Sequence, residues 1–240
     1  MNLRTALSTL AVATAIACPA LADMKIVQVT TIKNPAQEQM LKKLSPEQRA
    51  EAAKHGMGAP IRSVTYVSGP HSRVEATSMI TLSDSSTKTL YMLNTETHQY
   101  SKTTLGAAGG QGALNATVQK TTKTKVILGH LATLYHMNLT AGQAGTMAAD
   151  VWAAGDLPQP PAPPVGGPAA TIAAAMRKIK GLPLLVVMQA ASPYGNFTIT
   201  STVKSISNNP IPASTFQIPA GYKPAPAGAG VGGPRMFGGH

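Results

Sequence analysis

Residues 61–104 read IRSVTYVSGPHSRVEATSMITLSDSSTKTLYMLNTETHQYSKTT, and their dominant feature is alternation. Val64 and Tyr66 lead to a turn at Ser68-Gly69-Pro70-His71. From there Val74, Ala76, Ser78 and Ile80 alternate with Arg73, Glu75, Thr77 and Met79. Asp84-Ser85-Ser86 turns the chain into Thr89–Leu93, and Asn94–Thr97 turns it into Gln99–Lys102. A period of two, interrupted by turn-forming residues, predicts short strands joined by tight turns, an antiparallel meander.

On the N-terminal side, Lys25–Lys33 is rich in β-branched residues and predicts a further strand. A helical pair follows. Asn34-Pro35 starts the first helix, with Met40, Leu41 and Leu44 on one side. Ser45-Pro46-Glu47-Gln48 starts the second, with Ser45 as N-cap and Gln48 closing a capping box. This second helix is expected to end at His55-Gly56. Its apolar face (Ala50, Ala53, Met57) is thin, which suits either a movable lid or an exposed connector.

On the C-terminal side, Gly106–Gly112 is a glycine-rich loop. Lys123–Leu128, Leu131–Leu139 and Thr146–Ala153 predict three strands, with bends at Gly129-His130 and Ala141-Gly142. Leu157–Pro168 is a proline-rich link. Ala169–Lys180 predicts a helix, because Ile172, Ala175, Met176 and Ile179 fall at i, i+3, i+4, i+7; Arg177, Lys178 and Lys180 occupy its last turn and Gly181 ends it. Leu184–Met188 predicts a strand buried on both faces or lining an apolar cavity. Pro193–Asn196 turns it into an alternating strand, Phe197–Ile206. The Pro/Gly/Ala tail, 224–240, is expected to be disordered.

Residues 1–22 have the three parts of an export signal: Arg4 in a short n-region, the apolar run Ala6–Ala17, and Ala20-Leu21-Ala22 as a small-residue cleavage site. The mature chain would begin at Asp23, as one domain over 23–223 in the periplasm or outside the cell. Cys18 is the single cysteine. Ala15-Ile16-Ala17 before it makes a poor lipobox, so lipid anchoring at Cys18 is the weaker alternative. Cleavage after Ala22 would leave no thiol for disulfide, catalysis or metal.

Of 20 Lys and Arg residues, Arg4 would leave with the leader, so 19 would face 9 acidic residues, a net charge of +10. Such a surface suits solubility or an anionic envelope component. It argues against nucleic acid, because the basic residues are scattered and aromatics make up only 4% of the chain.

The order of elements resembles the LolA-like fold of periplasmic lipoprotein carriers, and most closely a family of exported bacterial proteins of unknown function assigned to that superfamily. The resemblance rests on Tyr66-Val67-Ser68-Gly69 with Arg73, Leu93-Asn94 with Tyr100, and Ile127-Leu128-Gly129-His130 with Tyr135. It also rests on Trp152–Pro158, Lys180–Leu184, and Ile211–Phe216 running into Ile218–Tyr222. It implies an α+β fold: a curved antiparallel sheet, a half-barrel, with helices across the concave face. Carriers of that fold shelter acyl chains in the concavity. The Gly106–Gly112 loop and the proline segment before the late helix are departures that bear on the mouth.

No catalytic constellation emerges. A G-x-S-x-G elbow is missing, the carboxylates are scattered, and Gly106–Gly112 lacks the Lys-Ser/Thr and helix of a phosphate cradle. His130 and His136, six apart on one predicted strand, could join Asp150 at zinc or copper, but without HExxH spacing they read as solvated. His240, after two glycines, belongs to the tail. The expectation is therefore no enzyme, no cofactor and no metal.

The apolar residues carry the positive reading. Leu184–Met188, Ile199, Val203, Leu90, Met92, Ile80, Leu134, Met137 and Trp152 are expected to coat one side of the sheet, faced by Met176 and Ile179 and by Met40, Leu41 and Leu44. The candidate hydrophobic ligand-binding residues are Leu41, Leu44, Met92, Trp152, Met176, Ile179, Leu185 and Val187, with anionic headgroups near Lys42, Lys43, Arg177 and Lys178. Two readings follow. One is an exported non-enzymatic binding protein sheltering a lipid, a lipoprotein acyl chain or another hydrophobic ligand. The other is a structural or interaction protein of the envelope with a closed core and no ligand.

Overall fold

The computed structural model describes residues 23–54, 58–104, 115–140, 146–163, 165, 168–192 and 195–226. The expected leader with Cys18, the His55-Gly56 helix end, Gly106–Gly112, Ala141-Gly142, the turn residues Pro193 and Tyr194, and the tail from 227 lie outside them.

Among the described residues twelve strands form one sheet. β1 (Met24–Lys33), β2 (Ile61–Ser68), β3 (His71–Ala76), β4 (Met79–Asp84), β5 (Thr89–Asn94) and β6 (Gln99–Thr104) make one meander. β7 (Asn115–Ile127), β8 (His130–Thr140), β9 (Thr146–Ala154), β10 (Leu182–Ser192) and β11 (Gly195–Ser207) make a second. β1 joins them by pairing antiparallel with β11, from Lys25 opposite Ser207 to Lys33 opposite Thr198. A short β12 (Lys223–Pro224) runs parallel to β6 at one edge, and β7 is the other edge, so the sheet is open. Register breaks at Val27/Gln28, Lys120/Thr124 and Pro183/Leu185 bend their strands and deepen the twist of this curved α+β sheet.

The helices begin where their caps predict. Asn34 Oδ1 accepts from the N–H groups of Ala36 (3.0 Å) and Gln37 (3.3 Å) to start α1 (Pro35–Lys43). The Ser45–Gln48 capping box is complete at α2 (Pro46–Lys54): Gln48 N–H donates to Ser45 Oγ at 3.2 Å, and Ser45 N–H to Gln48 Oε1 at 3.0 Å. α3 (Pro168–Met176) ends before the expected Lys180. Its last turn tightens, with Lys178 N–H bonding to Ala175 and Ile179 N–H to Met176, i to i−3. Arg177, Lys178 and Lys180 therefore follow the α-helix. Ile179 still reaches the core.

That core lies between α3 and the second meander: Tyr135, Met137 and Leu139 of β8 and Ala149, Val151 and Ala153 of β9 are buried with Ala175 and Ile179. A second cluster, Met24, Ile26, Val67, Leu182, Leu184 and Val203, fastens the junction of the meanders. A third, Ile80, Leu82 and Leu93, lies under the chain that follows β11. This C-terminal strap packs Ile218 and Tyr222 on that cluster. Asp23 accepts from Ile211 N–H at 2.6 Å, Arg73 donates to Thr215 O at 3.1 Å, and Ala225 N–H donates to Tyr100 O at 2.8 Å. Among the described residues, no helix is long and apolar enough to cross a membrane.

One turn departs from expectation. Val74–Ile80 is not a continuous strand: Thr77 adopts φ 50° and Thr77-Ser78 reverses the chain between β3 and β4. The next turn, at Asp84, follows the prediction. Ser86 Oγ donates to Asp84 Oδ1 at 2.5 Å and Ser86 N–H at 2.8 Å. The Ser86 hydroxyl bond is the leading reason why Asp84 is lowered to a pKa of about 2, against some desolvation. Because the folded value lies below the ordinary 3.8, the stabilisation is complete above about pH 4 and is lost as the pH falls through 2. Asp84→Ala is expected to lower stability at pH 7 by no more than about 1 kcal/mol, since solvent screens the turn. Thermal melts from pH 5 to pH 2 should show the gap between parent and variant closing at the acid end.

Candidate functional site

Paired residues share a side of a sheet, so register carries each face across the molecule. On the side that bears α3, Tyr135 pairs with Val151, Val151 with Val186, Val186 with Ser201, and Ser201 with Thr30. The same side continues through Ile26, Thr65, Val74, Thr81 and Met92. The opposite side carries Leu134, Trp152 and Leu185 in one row and His136, Asp150 and Val187 in the next. It also carries Ile80 and Leu93, the residues beneath the strap.

The eight expected ligand-lining residues are thereby separated. Met92 lies on the helix-bearing side, half-buried. Met176 packs against the α3 core, and Ile179 is 1% exposed within it. Trp152, Leu185 and Val187 face the other way, as do Ile80 and Leu134. The expectation of one apolar coat is corrected here. In Leu184–Met188 every residue is apolar, so the run covers both faces in alternation and cannot line a single side. For Ile80 the cause is the Thr77-Ser78 turn, which sets Ile80 opposite Glu75 and places Val74 opposite Thr81.

On α1, Leu41 and Leu44 are half-buried and Met40 is 47% exposed. Leu41 packs so closely on Gly58 that a Cβ there would stand 2.7 Å from Leu41 Cδ1. No residue of α1 is buried, so the predicted apolar side of this helix is only lightly seated.

The helix-bearing face has two halves. Under α3 it is packed shut, with Met137, Leu139 and Val151 each at 1% exposure or below. Across β3–β5, Val74, Met79, Leu90 and Met92 are half-buried yet belong to none of the three core clusters. Between the halves the floor is polar: the Gln28 side-chain amide donates to Ser201 Oγ, which also lies 2.7 Å from Thr30 Oγ1. On the strap side, a groove of about 390 Å³ is lined by Lys25, Val27, Tyr66, Ser207, Asn209 and Pro212. Its hydroxyls and amide offer polar contacts rather than an acyl-sized apolar wall.

His130 and His136, expected to share Asp150, belong to two separate pairs. His136 Nδ1 stands 2.6 Å from Asp150 Oδ1, and His130 Nδ1 stands 2.7 Å from Asp156 Oδ2. The hydrogen bond from His130 is the first cause of the lowered pKa of Asp156. Among the described residues no three His, Cys, Asp or Glu side chains gather as a metal site would require. Trp152 is capped by the Lys125 ammonium 4.1 Å from its ring centroid, a cation–π contact.

Two features escaped sequence reasoning. Ile218 and Tyr222 signalled the strap only as apolar residues in a proline-bearing run after the last strand. The second is the exposure of the β7–β8 tip: the hairpin and a bend at Gly129-His130 are expected, but the turn falls at Leu128-Gly129 and sets Leu128 in water.

The fold and this face define an open antiparallel sheet protein with helices packed on the sheet. Residues 40–222 match the family described as Domain of unknown function (DUF4412), and the chain belongs to that family. No curated protein matches it. Among solved structures it is similar to a domain from Vibrio parahaemolyticus named for outer membrane lipoprotein sorting, at 10% identity and a TM-score of 0.33, over 82% of this chain and 90% of that one.

Proposed function

We propose that this is an exported, non-enzymatic binding protein that takes the acyl chain of a lipid on the β3–β5 half of its helix-bearing face. The observation that carries this reading is the set Val74, Met79, Leu90 and Met92, half-buried but outside every core cluster. Methionine adapts to irregular apolar partners, so Met79 and Met92 suit a flexible chain. β5 and β1 are four strand spacings apart, about 19 Å, which gives an extended chain room to lie across the strands. Gln28, Thr30 and Ser201 at the far end offer hydrogen bonds to an ester or headgroup. With Ile179 packed in the α3 core, our reading keeps Met92 in the lining and leaves Ile179 out of it.

Organic extraction of the purified protein is expected to release a lipid, and that lipid should displace a bound fluorescent fatty acid. Met92→Glu should weaken the fatty acid at least tenfold while the circular dichroism spectrum is unchanged, because a carboxylate there would be desolvated against the chain. An empty extract together with no probe binding would instead favour an envelope interaction protein with a closed core.

A further inference from the structure

Among the described residues five large apolar side chains are conspicuously exposed: Ile32, Met40, Val126, Leu128 and Leu131. Three of them share one hairpin. Val126 (70% exposed) and Leu131 (62%) are register partners at the end of β7–β8, and Leu128 (45%) is in the turn between them. The turn is an unusual place for leucine. Leu128 and Gly129 both have positive φ, 52° and 83°, the pattern that normally selects Asn-Gly or Asp-Gly. A leucine held in a left-handed conformation and pointed at water is disfavoured twice over, by backbone sterics and by exposure. The tip projects freely, since a Cβ built on Gly129 would meet nothing within 4 Å.

Charge surrounds this tip asymmetrically. Lys120, Lys123 and Lys125 lie along β7. The Lys180 stem lies 4.0 Å from the Cβ position of Gly155, next to Asp156. The acidic group at the base, Asp156, is already paired with His130. Lys125 is turned onto Trp152 on the face opposite Val126 and Leu131, which leaves Lys123 and Lys180 as the exposed cations toward the tip. The lysines of β7, together with the register break at Lys120/Thr124, blunt it as an edge on which a second copy could add a strand.

We propose that the β7–β8 tip is a docking point for an anionic lipid bilayer, with Leu128, Leu131 and Val126 entering the interface and Lys123 meeting the headgroups. Apolar insertion and electrostatic attraction to anionic lipid reinforce one another in such contacts. Docking by the tip requires no ligand on the helix-bearing face.

The test is flotation of the purified protein with vesicles of phosphatidylcholine and phosphatidylglycerol, against vesicles of phosphatidylcholine alone. The protein should float with the anionic vesicles only, and less so as salt is raised. Leu128→Asn combined with Leu131→Asn should cut the bound fraction at least tenfold. Leu128→Asn alone should also weaken flotation while leaving the melting temperature unchanged or higher, because asparagine suits the turn. Equal flotation of parent and double variant, or none with anionic vesicles, would overturn the proposal. So would light scattering that shows a dimer which Leu131→Asn dissociates, since the patch would then belong to a second copy.

Discussion

Gly181→Ala is expected to lower stability by at least about 3 kcal/mol, a loss of roughly 6–12 °C in melting temperature for a chain of this size. Gly181 sits where the chain leaves α3 and enters β10, with φ 90°. A Cβ there would stand 1.9 Å from Ala154 O, 2.5 Å from Ala154 C and 2.7 Å from Gly155 Cα. All three are backbone atoms, so no side chain can swing aside. To admit the methyl group, the end of β9 must separate from the start of β10, where Leu182 pairs with Ala154 and joins the junction cluster. Gly129→Ala is the matched comparison. Its φ is 83° but its Cβ position is empty, so only the conformational cost of about 1–2 kcal/mol applies. Thermal melts of the two variants separate strain from collision. If Gly181→Ala melted no lower than Gly129→Ala, the close approach of β9 would carry no weight.

How far the chain was legible depended on whether the deciding interaction was local. Asn34 with Ala36 and Gln37, and Ser45 with Gln48, lie within three residues of each other, and both caps form as their residue types dictate. The meander was readable for the same reason, since the side-chain oxygens of Asp84 and Asn94 mark their turns by accepting from the N–H groups of Ser86 and Glu96. Thr77-Ser78 has no glycine, proline or asparagine to announce it, and one unseen two-residue turn was enough to put Ile80 on the wrong side of the sheet. In β10 the limit is different. An all-apolar strand has no polar member to show which face is which, so Leu185 and Val187 could not be told from Leu184 and Val186. Nor does local pattern reveal that β1 pairs with β11, that Ile218 returns to cover Leu82, or that His130 finds Asp156 rather than Asp150.

The second large effect tests the candidate face itself, because Ile179 and Met92 were expected to line one apolar space and the structure gives them different surroundings. Ile179→Ala should cost about 2–5 kcal/mol, the range for emptying a well-packed site, since Ile179 is 1% exposed among Tyr135, Met137 and Val151. Its cavity would be enclosed by strands on one side and by α3 on the other, which limits collapse. Met92→Ala should cost about 1 kcal/mol or less, because the methionine is half-buried and belongs to no cluster. Binding of a fluorescent fatty acid should show the reverse order: nearly unchanged in Ile179→Ala below its melting transition, and weakened several-fold in Met92→Ala. Urea titrations and probe titrations on the same two proteins give both quantities. Should Ile179→Ala instead leave stability within about 1 kcal/mol and abolish probe binding, the space beneath α3 would be a ligand chamber, and the β3–β5 face would lose its role. The crossed outcome expected here needs α3 to act as a fixed wall. The tightened i to i−3 turn at Lys178 and Ile179 and the glycine-bound joint at Gly181 supply that rigidity.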